Sequence, residues 1–205
     1  MTGWGGRRRI IGAMAEITVQ PLTLERFADL AQLFEQGGDP KWCWCTWWRV
    51  PSANWSNTTA AQNRERLERL TASGPAPGLI AYRDDEAVGW VSLGPRTDYE
   101  RLERSRTLPR VDDEPVWAIV CFVVGRPARR TGVARVLLEA AVDYARRQGA
   151  PALEAYPIDP GEARVPAAAG YTGTRGMFER AGFTVVAPTG SKSGGAPRVV
   201  MRRIL

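Results

Sequence analysis

The sequence contains no histidine and only three cysteines. The absence of histidine excludes Ser-His-Asp triads, Cys-His nucleophile pairs and histidine-ligated zinc. Cys43 and Cys45 form a C-x-C pair, and only Cys121 is left to join them, which is too few thiolates for a four-cysteine zinc site. We therefore expect no metal site. So few cysteines in a chain of this size also indicate a reducing, cytoplasmic setting.

Lysine and long apolar runs are scarce as well. Lys41 and Lys192 are the only lysines among 28 basic residues, and the net charge of +6 comes from arginine. A basic chain raises the question of nucleic acid. However, the abundance of Arg, Ala, Gly and Pro indicates GC-rich coding, and we expect no nucleic-acid partner. No run of about 18 apolar residues exists, so we expect no membrane span and no membrane partner.

A chain of 205 residues with 44% hydrophobic content is long enough for one sizeable core. Its first residues hold a basic cluster, Arg7 to Arg9, and almost no apolar segment, which makes a poor signal peptide. We interpret residues 1–13 as a disordered arm or an upstream start. Residues 14–205 are predicted to form a single domain.

The most informative segment runs from Val116 to Gln148. Every residue up to Val124 is apolar, which predicts a strand covered on both faces. From Thr131 on, apolar residues recur at helical spacing and predict a long amphipathic helix. Gly132, between the two, lets a ligand approach the backbone at a helix start whose first amides lack partners. Such a turn is a site for a phosphate or pyrophosphate.

Other elements are predicted from local signals. Thr23 is expected to cap a helix over 24–36, and Ser56 or Asn57 to cap one over 58–72. A late helix is expected over 172–180. The small and polar residues 189–197 predict a mobile hairpin loop between the last two strands.

Two motifs resemble those of the GNAT acetyltransferases. Arg129-x-x-Gly132-x-Ala134, after an apolar strand and at a helix start, resembles the acyl-CoA signature of that family. The segment Met177 to Phe183 resembles the family's late helix-to-strand segment. The resemblance covers roughly 16–205. It implies an α/β (α+β) GNAT fold: a mixed, mostly antiparallel seven-stranded sheet with a splayed parallel central strand pair and about four helices.

The resemblance implies acetyl-CoA as the acyl donor and no metal. In the family, the pantetheine arm lies between the splayed strands, and the matching strand backbone here is that of Phe122, Val123 and Val124. The family holds the pyrophosphate at the helix start. The matching residues are Arg129, Arg130, Thr131, Gly132, Val133, Ala134 and Arg135.

Acetyl transfer to an amine needs a proton acceptor for the amine and a proton for the departing thiolate. Many relatives carry a tyrosine on the late helix where this chain has Phe178, which has no proton to give. Tyr171 stands where relatives often have an asparagine that bonds the cofactor arm. We predict that Tyr171 contacts the cofactor and acts as general acid; a tyrosine that only packs is the alternative. Glu154, on the strand that lines the cleft, is the predicted general base. Its rivals are Asp112, Asp113 and Glu114.

Four tryptophans lie within the seven residues from Trp42 to Trp48, far more than ordinary core usage. In the family this region covers the acceptor site, which implies that Trp44, Trp47 and Trp48 form a wall of the acceptor pocket. An aromatic wedge that closes the space between the first two helices is the alternative.

The sequence therefore predicts an N-acetyltransferase that transfers an acetyl group from acetyl-CoA to a primary amine of a small molecule or protein by direct attack. Its expected partners are acetyl-CoA and an amine acceptor of unknown identity, and the chain is expected to be a monomer or homodimer. The alternative is a catalytically silent acetyl-CoA-binding regulatory module. Phe178 and the lack of an obvious base support that alternative.

Overall fold

The computed structural model describes residues 16–161 and 166–205. The predicted arm, 1–13, lies outside the described residues. The strands are β1 (Ile17–Pro21), β2 (Gly78–Arg83), β3 (Glu86–Pro95), β4 (Trp117–Val124), β5 (Ala152–Ala155), β6 (Thr184–Ser193) and β7 (Ala196–Ile204). The helices are α1 (Phe27–Glu35), α2 (Pro40–Cys43), α3 (Ser52–Trp55), α4 (Ala60–Ser73), α5 (Glu100–Glu103), α6 (Val133–Arg147) and α7 (Arg175–Arg180).

All seven strands form one sheet, in the order β1-β2-β3-β4-β5-β7-β6. Every neighbouring pair is antiparallel except β4 and β5, which are parallel and are joined by α6. Parallel neighbours need such a crossover connection. Of the helices, α1, α4, α6 and α7 have six residues or more, and the other three are single turns. The predicted fold class is confirmed.

The parallel pair at the centre of the sheet separates after a short contact. β4 and β5 pair only over Trp117–Ile119 and Leu153–Ala155. β4 continues beside β3 to its end, whereas the chain after β5 turns away, and Ile158 bridges Thr174 and Arg198 instead. The second half of β4 therefore has a strand on one side only, among the residues that the structure describes. This is the predicted splay.

A β-bulge lies at the point where β4 leaves β5. Ser92 faces Cys121 and Leu93 faces Ile119, so Val120 is an extra residue on β4. A bulge bends its strand and redirects the side chains that follow, and bulges are frequent beside active sites. The bend at Val120 and the splay begin together, because Ile119 is the last β4 residue that pairs with β5.

Apolar side chains cover both faces of the sheet. On one face, Phe34 of α1 packs with Trp90 and with residues of the tryptophan-rich segment. On the other face, Leu137 of α6 and Phe178 of α7 belong to a second buried cluster. β4 contributes residues to both clusters, as its continuous apolar sequence predicts. No helix of the described residues is both long and apolar enough to cross a membrane.

The two predicted N-caps are wrong. α1 begins at Phe27, and no side chain caps it, so Thr23 does not have that role. α4 is capped by Thr59, whose hydroxyl accepts a hydrogen bond from the Gln62 amide, while the Gln62 side chain accepts from the Thr59 amide. This reciprocal capping box satisfies two amides at once, which a cap at 56 or 57 would leave open.

The last third of the chain differs from the prediction at two places. The late helix, α7, begins only at Arg175 and follows a separate 3-10 turn, Ala167–Thr172, because Gly173 between them has a φ of 79°. The predicted mobile loop over 189–197 is wrong, since most of those residues belong to the paired strands β6 and β7. The turn itself needs only Gly194 and Gly195, both with positive φ.

Candidate active site

The turn before α6 has a backbone suited to anions. Gly132, with a φ of 88°, precedes the first residue of the 15-residue helix, and Arg130 has a φ of 63°. Among the described residues, no backbone carbonyl accepts a hydrogen bond from the amides of Thr131, Gly132, Val133 or Ala134. These free amides stand at the positive end of the helix dipole. A phosphate or pyrophosphate fits such a helix start.

The space in front of Gly132 is open. A Cβ atom built on this glycine would meet nothing within 4 Å. Its left-handed φ nevertheless strains any other residue at this position. A ligand can therefore approach the backbone here, and a side chain would stand in its path.

Arginines surround the same turn. Arg129 and Arg130 are exposed, as is Arg135 in the first turn of α6. The Arg129 Nε atom donates to the Val124 carbonyl at the end of β4, at 3.2 Å. The structure thus brings together the predicted pyrophosphate residues as one positively charged turn. Arginine side chains can also bind phosphate oxygens through two parallel hydrogen bonds.

Arg83 is a further cation at this turn that the sequence did not reveal. Its Nη2 atom donates to the Thr131 hydroxyl at 2.7 Å, and that hydroxyl donates to the Ala128 carbonyl at 2.8 Å. Arg83 lies 48 residues before Thr131. Arg83 is the last residue of β2, and the strand order β2-β3-β4 places it near the turn that follows β4. Only a prediction of the strand order could have revealed this contact.

The second half of β4 presents a backbone edge that no second described strand covers, although the Val124 carbonyl accepts the hydrogen bond from Arg129. Phe122, Val123 and Val124 pair with β3 on one side, and no other described strand pairs with them. Val123 and Val124 are half-buried, whereas the Phe122 side chain packs edge-on against Phe178, with ring centroids 6.2 Å apart. An extended molecule that carries amide groups can bond to an open strand edge as an added strand does.

Tyr171 lies in the 3-10 turn before α7. Its hydroxyl accepts a hydrogen bond from the Arg198 Nη2 atom at 3.0 Å, and the Arg198 guanidinium lies 5.4 Å from its ring centre. Burial raises the pKa of Tyr171 above its ordinary value of 10.0, while the charge of Arg198 acts in the opposite direction. The hydroxyl is therefore protonated at neutral pH, and the hydrogen bond from Arg198 leaves its O–H available as a donor.

Phe178, on α7, is fully buried between Phe122 and Phe183, with edge-on contacts to both rings. It packs in the core and carries no hydroxyl. Phe178 therefore cannot supply a proton, whereas Tyr171 carries a hydroxyl that can.

Glu154 lies within a buried ion-pair network. Its Oε1 atom accepts hydrogen bonds from Nη2 and Nε of Arg202, at 2.7 and 3.2 Å. Its Oε2 atom accepts from the Tyr156 hydroxyl at 2.9 Å and lies 3.6 Å from Nε of Arg96. The residue is 2% exposed. This geometry argues against the predicted general-base role, because a base must reach the acceptor with a free oxygen.

The rivals of Glu154 lie at the edge of the same network. Asp112 binds Arg202 through two hydrogen bonds, of 2.6 and 2.9 Å, and these hold the pKa of its carboxyl below the usual value. Asp113 and Glu114 are exposed. None of these carboxylates contacts Tyr171, and the structure identifies no carboxylate base beside it among the described residues.

The three predicted acceptor-wall tryptophans differ in their surroundings. Trp44 is buried, stacked on Phe27 at 6.0 Å and edge-on to Phe34 at 5.4 Å. Trp44 therefore packs as the alternative interpretation predicts, as part of an aromatic wedge and not as a wall of an acceptor pocket. Trp48 is buried as well, and Trp47 is half-buried.

Arginines of the chain already lie over the indole faces of the other two. The Arg101 guanidinium is 3.6 Å from the ring centre of Trp47, and that of Arg198 is 5.8 Å from the ring centre of Trp48. An indole face that holds one cation does not attract a second. This side of the site therefore presents positive charge rather than a cation-binding aromatic surface.

The three cysteines are reduced and lie close together. The Sγ atoms of Cys45 and Cys121 are 3.3 Å apart. The thiol contact with Cys121 raises the pKa of Cys45, whereas the hydrogen bond from Cys45 lowers that of Cys43. No group of three potential ligands among the described residues has the geometry of a metal site.

Comparison with solved structures supports the same fold. A structure described as histone acetyltransferase HPA2 and related acetyltransferase, from Corynebacterium glutamicum, is 18% identical, with a TM-score of 0.58, and the match covers 93% of this chain and 97% of that one. The aminoglycoside acetyltransferase AAC(6')-Ib in complex with coenzyme A is 16% identical, with a TM-score of 0.56, covering 92% and 95%. The PaiA N-acetyltransferase from Thermoplasma acidophilum, also with coenzyme A, is 13% identical, with a TM-score of 0.53, covering 93% and 99%. At these identities the likeness shows the fold alone.

The sequence itself identifies the family. No curated protein matches the chain significantly in sequence. The family model described as acetyltransferase (GNAT) family, however, matches residues 44–183, well over half of the chain. The free helix-start amides and the open strand edge lie within that span. A match of this length shows that the chain belongs to the GNAT family of acetyltransferases.

Proposed function

We propose that this protein is an N-acetyltransferase that transfers the acetyl group of acetyl-CoA directly to a primary amine. One observation carries the proposal: the free amides from Thr131 to Ala134 stand next to an open edge of β4. This combination suits a ligand with both a pyrophosphate and an amide-bearing arm. Membership of the family supports acyl-CoA chemistry, and two solved structures of the same fold contain coenzyme A.

The donor site consists of two parts in this proposal. The amides of 131–134 and the side chains of Arg129, Arg130 and Arg135 hold the pyrophosphate. The backbone of 122–124 binds the amide-bearing arm along the free edge of β4. When bound, acetyl-CoA supplies an activated thioester, which the splayed strands present toward the face of the sheet that carries Tyr171.

Tyr171 is the proposed general acid. In the reaction an N–C bond forms while the C–S bond breaks, one proton passes from the amine to water, and Tyr171 supplies a proton to the departing sulfur. Its raised pKa keeps that proton available at neutral pH. A contact between Tyr171 and the cofactor is part of this proposal.

A carboxylate base is not required in this scheme. Arg198 binds Tyr171 directly, and no carboxylate of the described residues neutralises it. A nearby positive charge disfavours the ammonium form of an amine and so increases the share of the neutral nucleophile. We assign Glu154 a structural role, in which it holds Arg96 and Arg202 in place.

A turnover assay separates the enzyme from the silent regulatory module. Purified protein with acetyl-CoA is offered a panel of amines that includes amino acids, polyamines, aminoglycosides and peptides. We expect amine-dependent thiol release above the hydrolytic background. The product should be about 42 Da heavier than the amine, because an acetyl group replaces one hydrogen. Acetyl-CoA binding without thiol release for any class of amine would instead support the silent module.

The cytoplasmic setting, the single domain over 14–205, the lack of a nucleic-acid or membrane partner, and the monomeric or homodimeric state remain predictions. They do not bear on the chemistry proposed for the cleft.

A further inference from the structure

In the described part of the chain, several buried polar atoms on residues in or next to the contacts of Tyr171 have no hydrogen-bond partner. Five buried side-chain polar atoms of the described residues have no hydrogen-bond partner, and four of them belong to Trp48, Arg101, Thr172 and Arg198. Arg198 bonds Tyr171 and lies over Trp48, while Thr172 follows Tyr171 in the chain. Three of the four atoms are N–H donors that cannot accept. A buried donor without a partner costs free energy unless a ligand supplies an acceptor.

Arg198 is the strongest of these signals because it is a buried charge. It is 6% exposed. Its Nη1 and Nη2 atoms donate to the hydroxyls of Ser191 (3.3 Å) and Tyr171 (3.0 Å), and its Nε atom has no partner. Both partners are neutral, so no described residue balances the charge. Among the described residues, the side chains of Arg49, Arg96 and Arg202 are also buried, and each of them is paired with a carboxylate.

Arg101 is a second cation that has no carboxylate partner among the described residues. Its guanidinium donates to the carbonyls of Trp47 and Val50 and to the Ser52 hydroxyl, and its Nη2 atom is buried without a partner. It stacks on Trp47, and the indole of the next residue, Trp48, carries another spare donor. Burial lowers the pKa of Arg101, and the nearby Tyr171 acts in the opposite direction.

We propose that Arg198 and Arg101, with the indole N–H of Trp48, form a subsite for the carboxylate of the acceptor, and that the acceptor is a small amino acid. This inference rests on the proposed N-acetyltransferase function and names its substrate class. A carboxylate offers two oxygens with four lone-pair sites, which match spare guanidinium and indole donors. Tyr171, Trp47 and Arg101, which belong to or contact these residues, are partly exposed.

The position of Arg198 limits the size of the acceptor. It touches the hydroxyl of Tyr171, the proposed proton donor of the reaction, at 3.0 Å. A carboxylate bound by Arg198 thus lies beside the reacting centre, and the amine of the same molecule must be only a few bonds away. An α-amino acid has this arrangement. A polycationic acceptor would instead meet two arginines that no carboxylate balances, which disfavours its binding.

A comparison of acids with their amides tests the inference. Each free L-amino acid is paired with its α-carboxamide, which keeps the amine and the side chain but lacks the negative charge. With saturating acetyl-CoA, we expect kcat/KM for the preferred acid to exceed that of its amide at least about tenfold, as is usual when a site built to bind a polar group loses that group. Amides that react as well as the acids would overturn the proposal.

Two variants locate the preference. Arg198→Gln and Arg101→Gln are each expected to reduce the ratio of acid to amide kcat/KM at least about tenfold, mainly through KM for the acid. Arg69→Gln, an exposed arginine on α4 paired with Glu65, is the matched control and leaves the ratio unchanged. Circular dichroism checks the fold, and if Arg198→Gln does not fold, Arg101→Gln decides. An unchanged ratio in every folded variant would contradict the subsite.

Carboxylate binding at the subsite can be tested separately from acetyltransferase activity. If acetyl-CoA binds but no amine is acetylated, calorimetry on the coenzyme A-loaded protein compares the acids with the amides. If acetyl-CoA does not bind, the same comparison is made on the protein alone. Tighter binding of an acid than of its amide supports the subsite in either case. Binding of no acid at millimolar concentration overturns it, whatever the result for acetyl-CoA.

Discussion

Tyr171 and Glu154 show how burial divides two candidate acid–base residues between different roles. The Tyr171 hydroxyl accepts one hydrogen bond from a cation, and its O–H remains available. Glu154, in contrast, has both oxygens bound, by Arg202 on one side and by Tyr156 and Arg96 on the other. At the scale of single residues, the free hydroxyl suits chemistry and the saturated carboxylate suits structure.

The role of Tyr171 is tested by Tyr171→Phe. The change removes the proposed proton donor but keeps the ring, so we expect kcat to fall about 100-fold while KM for acetyl-CoA changes little. Steady-state thiol release measures both. Tyr144→Phe, on α6, is the control, because the Tyr144 hydroxyl makes only a 3.4 Å bond to the Ala76 carbonyl. A kcat within about twofold of wild type for Tyr171→Phe would rule out this acid.

The pH profile gives an independent prediction for the same group. Burial raises the pKa of Tyr171, so the acid keeps its proton until the pH exceeds its ordinary value of 10.0. Below that pH, loss of the Tyr171 proton should not reduce kcat. We therefore expect any alkaline decline in the kcat of the wild type below pH 10.0 to occur in Tyr171→Phe as well. A decline near neutral pH that the substitution abolishes would contradict the assignment.

Glu154→Gln separates a structural role from a general-base role. The amide keeps the shape but leaves Arg96 and Arg202 without their shared charge. Removal of one partner from a buried ion pair costs about 3–5 kcal/mol, and we expect a loss toward the lower end of this range in the free energy of unfolding, measured in urea, because Glu103 and Asp112 still pair with Arg96 and Arg202. The exposed Glu65→Gln, which loses only a surface pair with Arg69, is expected to lose at most about 0.5 kcal/mol. An unchanged stability with kcat reduced about 100-fold would instead identify Glu154 as the base.

At the scale of elements, the parts that the sequence predicts well are those with local causes. β4 and α6 follow from a continuous apolar run, a helical repeat and the residues of the turn between them, all within 116–148. The left-handed glycine at the start of α6 belongs to the same local pattern. No distant part of the chain is needed to form these features.

The elements that were mispredicted depend on single hydrogen bonds or single dihedral angles. Thr23 and Thr59 both precede helix-like sequence, but only Thr59 has a glutamine three residues later to complete a capping box. The late helix is shortened because Gly173 adopts a positive φ. Such details change the position of an element by several residues and leave the fold intact.

The capping box gives a test at this scale. Thr59→Ala removes the side chain that satisfies the Gln62 amide, and we expect it to lower the free energy of unfolding by about 1 kcal/mol. Thr23→Ala is the matched control, because no side chain caps α1. Its loss is expected to be no more than about 0.5 kcal/mol, the usual range for surface substitutions. Equal losses in chemical denaturation would show that the box does not stabilise α4.

At the scale of the whole molecule, the sheet brings distant residues to one place, and sequence patterns did not reveal this. Arg198 reaches Tyr171 across 27 residues, Arg101 reaches Trp47 across 54, and Arg83 reaches the turn before α6 across 48. Each contact depends on strand order and register, which no local motif encodes. The residues proposed for the donor side lie within one local segment that the sequence singles out, whereas the charge on the proposed acceptor side emerges only from the fold.

The two proposed substrate sites involve different elements of the fold. The open edge of β4 and the start of α6 provide the proposed donor site, and the tryptophan-rich segment, α5 and the β6–β7 hairpin surround Tyr171 on the proposed acceptor side. The bulge at Val120 lies where β4 leaves β5, between these two regions.

Calorimetric titration with acetyl-CoA of the wild type, Gly132→Glu and Gly149→Glu tests the central claim most directly. Gly132 and Gly149 stand at opposite ends of α6, both with positive φ and both with open space around a built Cβ, so the two substitutions carry similar backbone strain. We expect the wild type and Gly149→Glu to bind acetyl-CoA with similar affinity, and Gly132→Glu to show no detectable binding, because its carboxylate stands where the pyrophosphate binds. A wild type that does not bind at millimolar acetyl-CoA, or a folded Gly132→Glu that binds as tightly as the wild type, would contradict the claim.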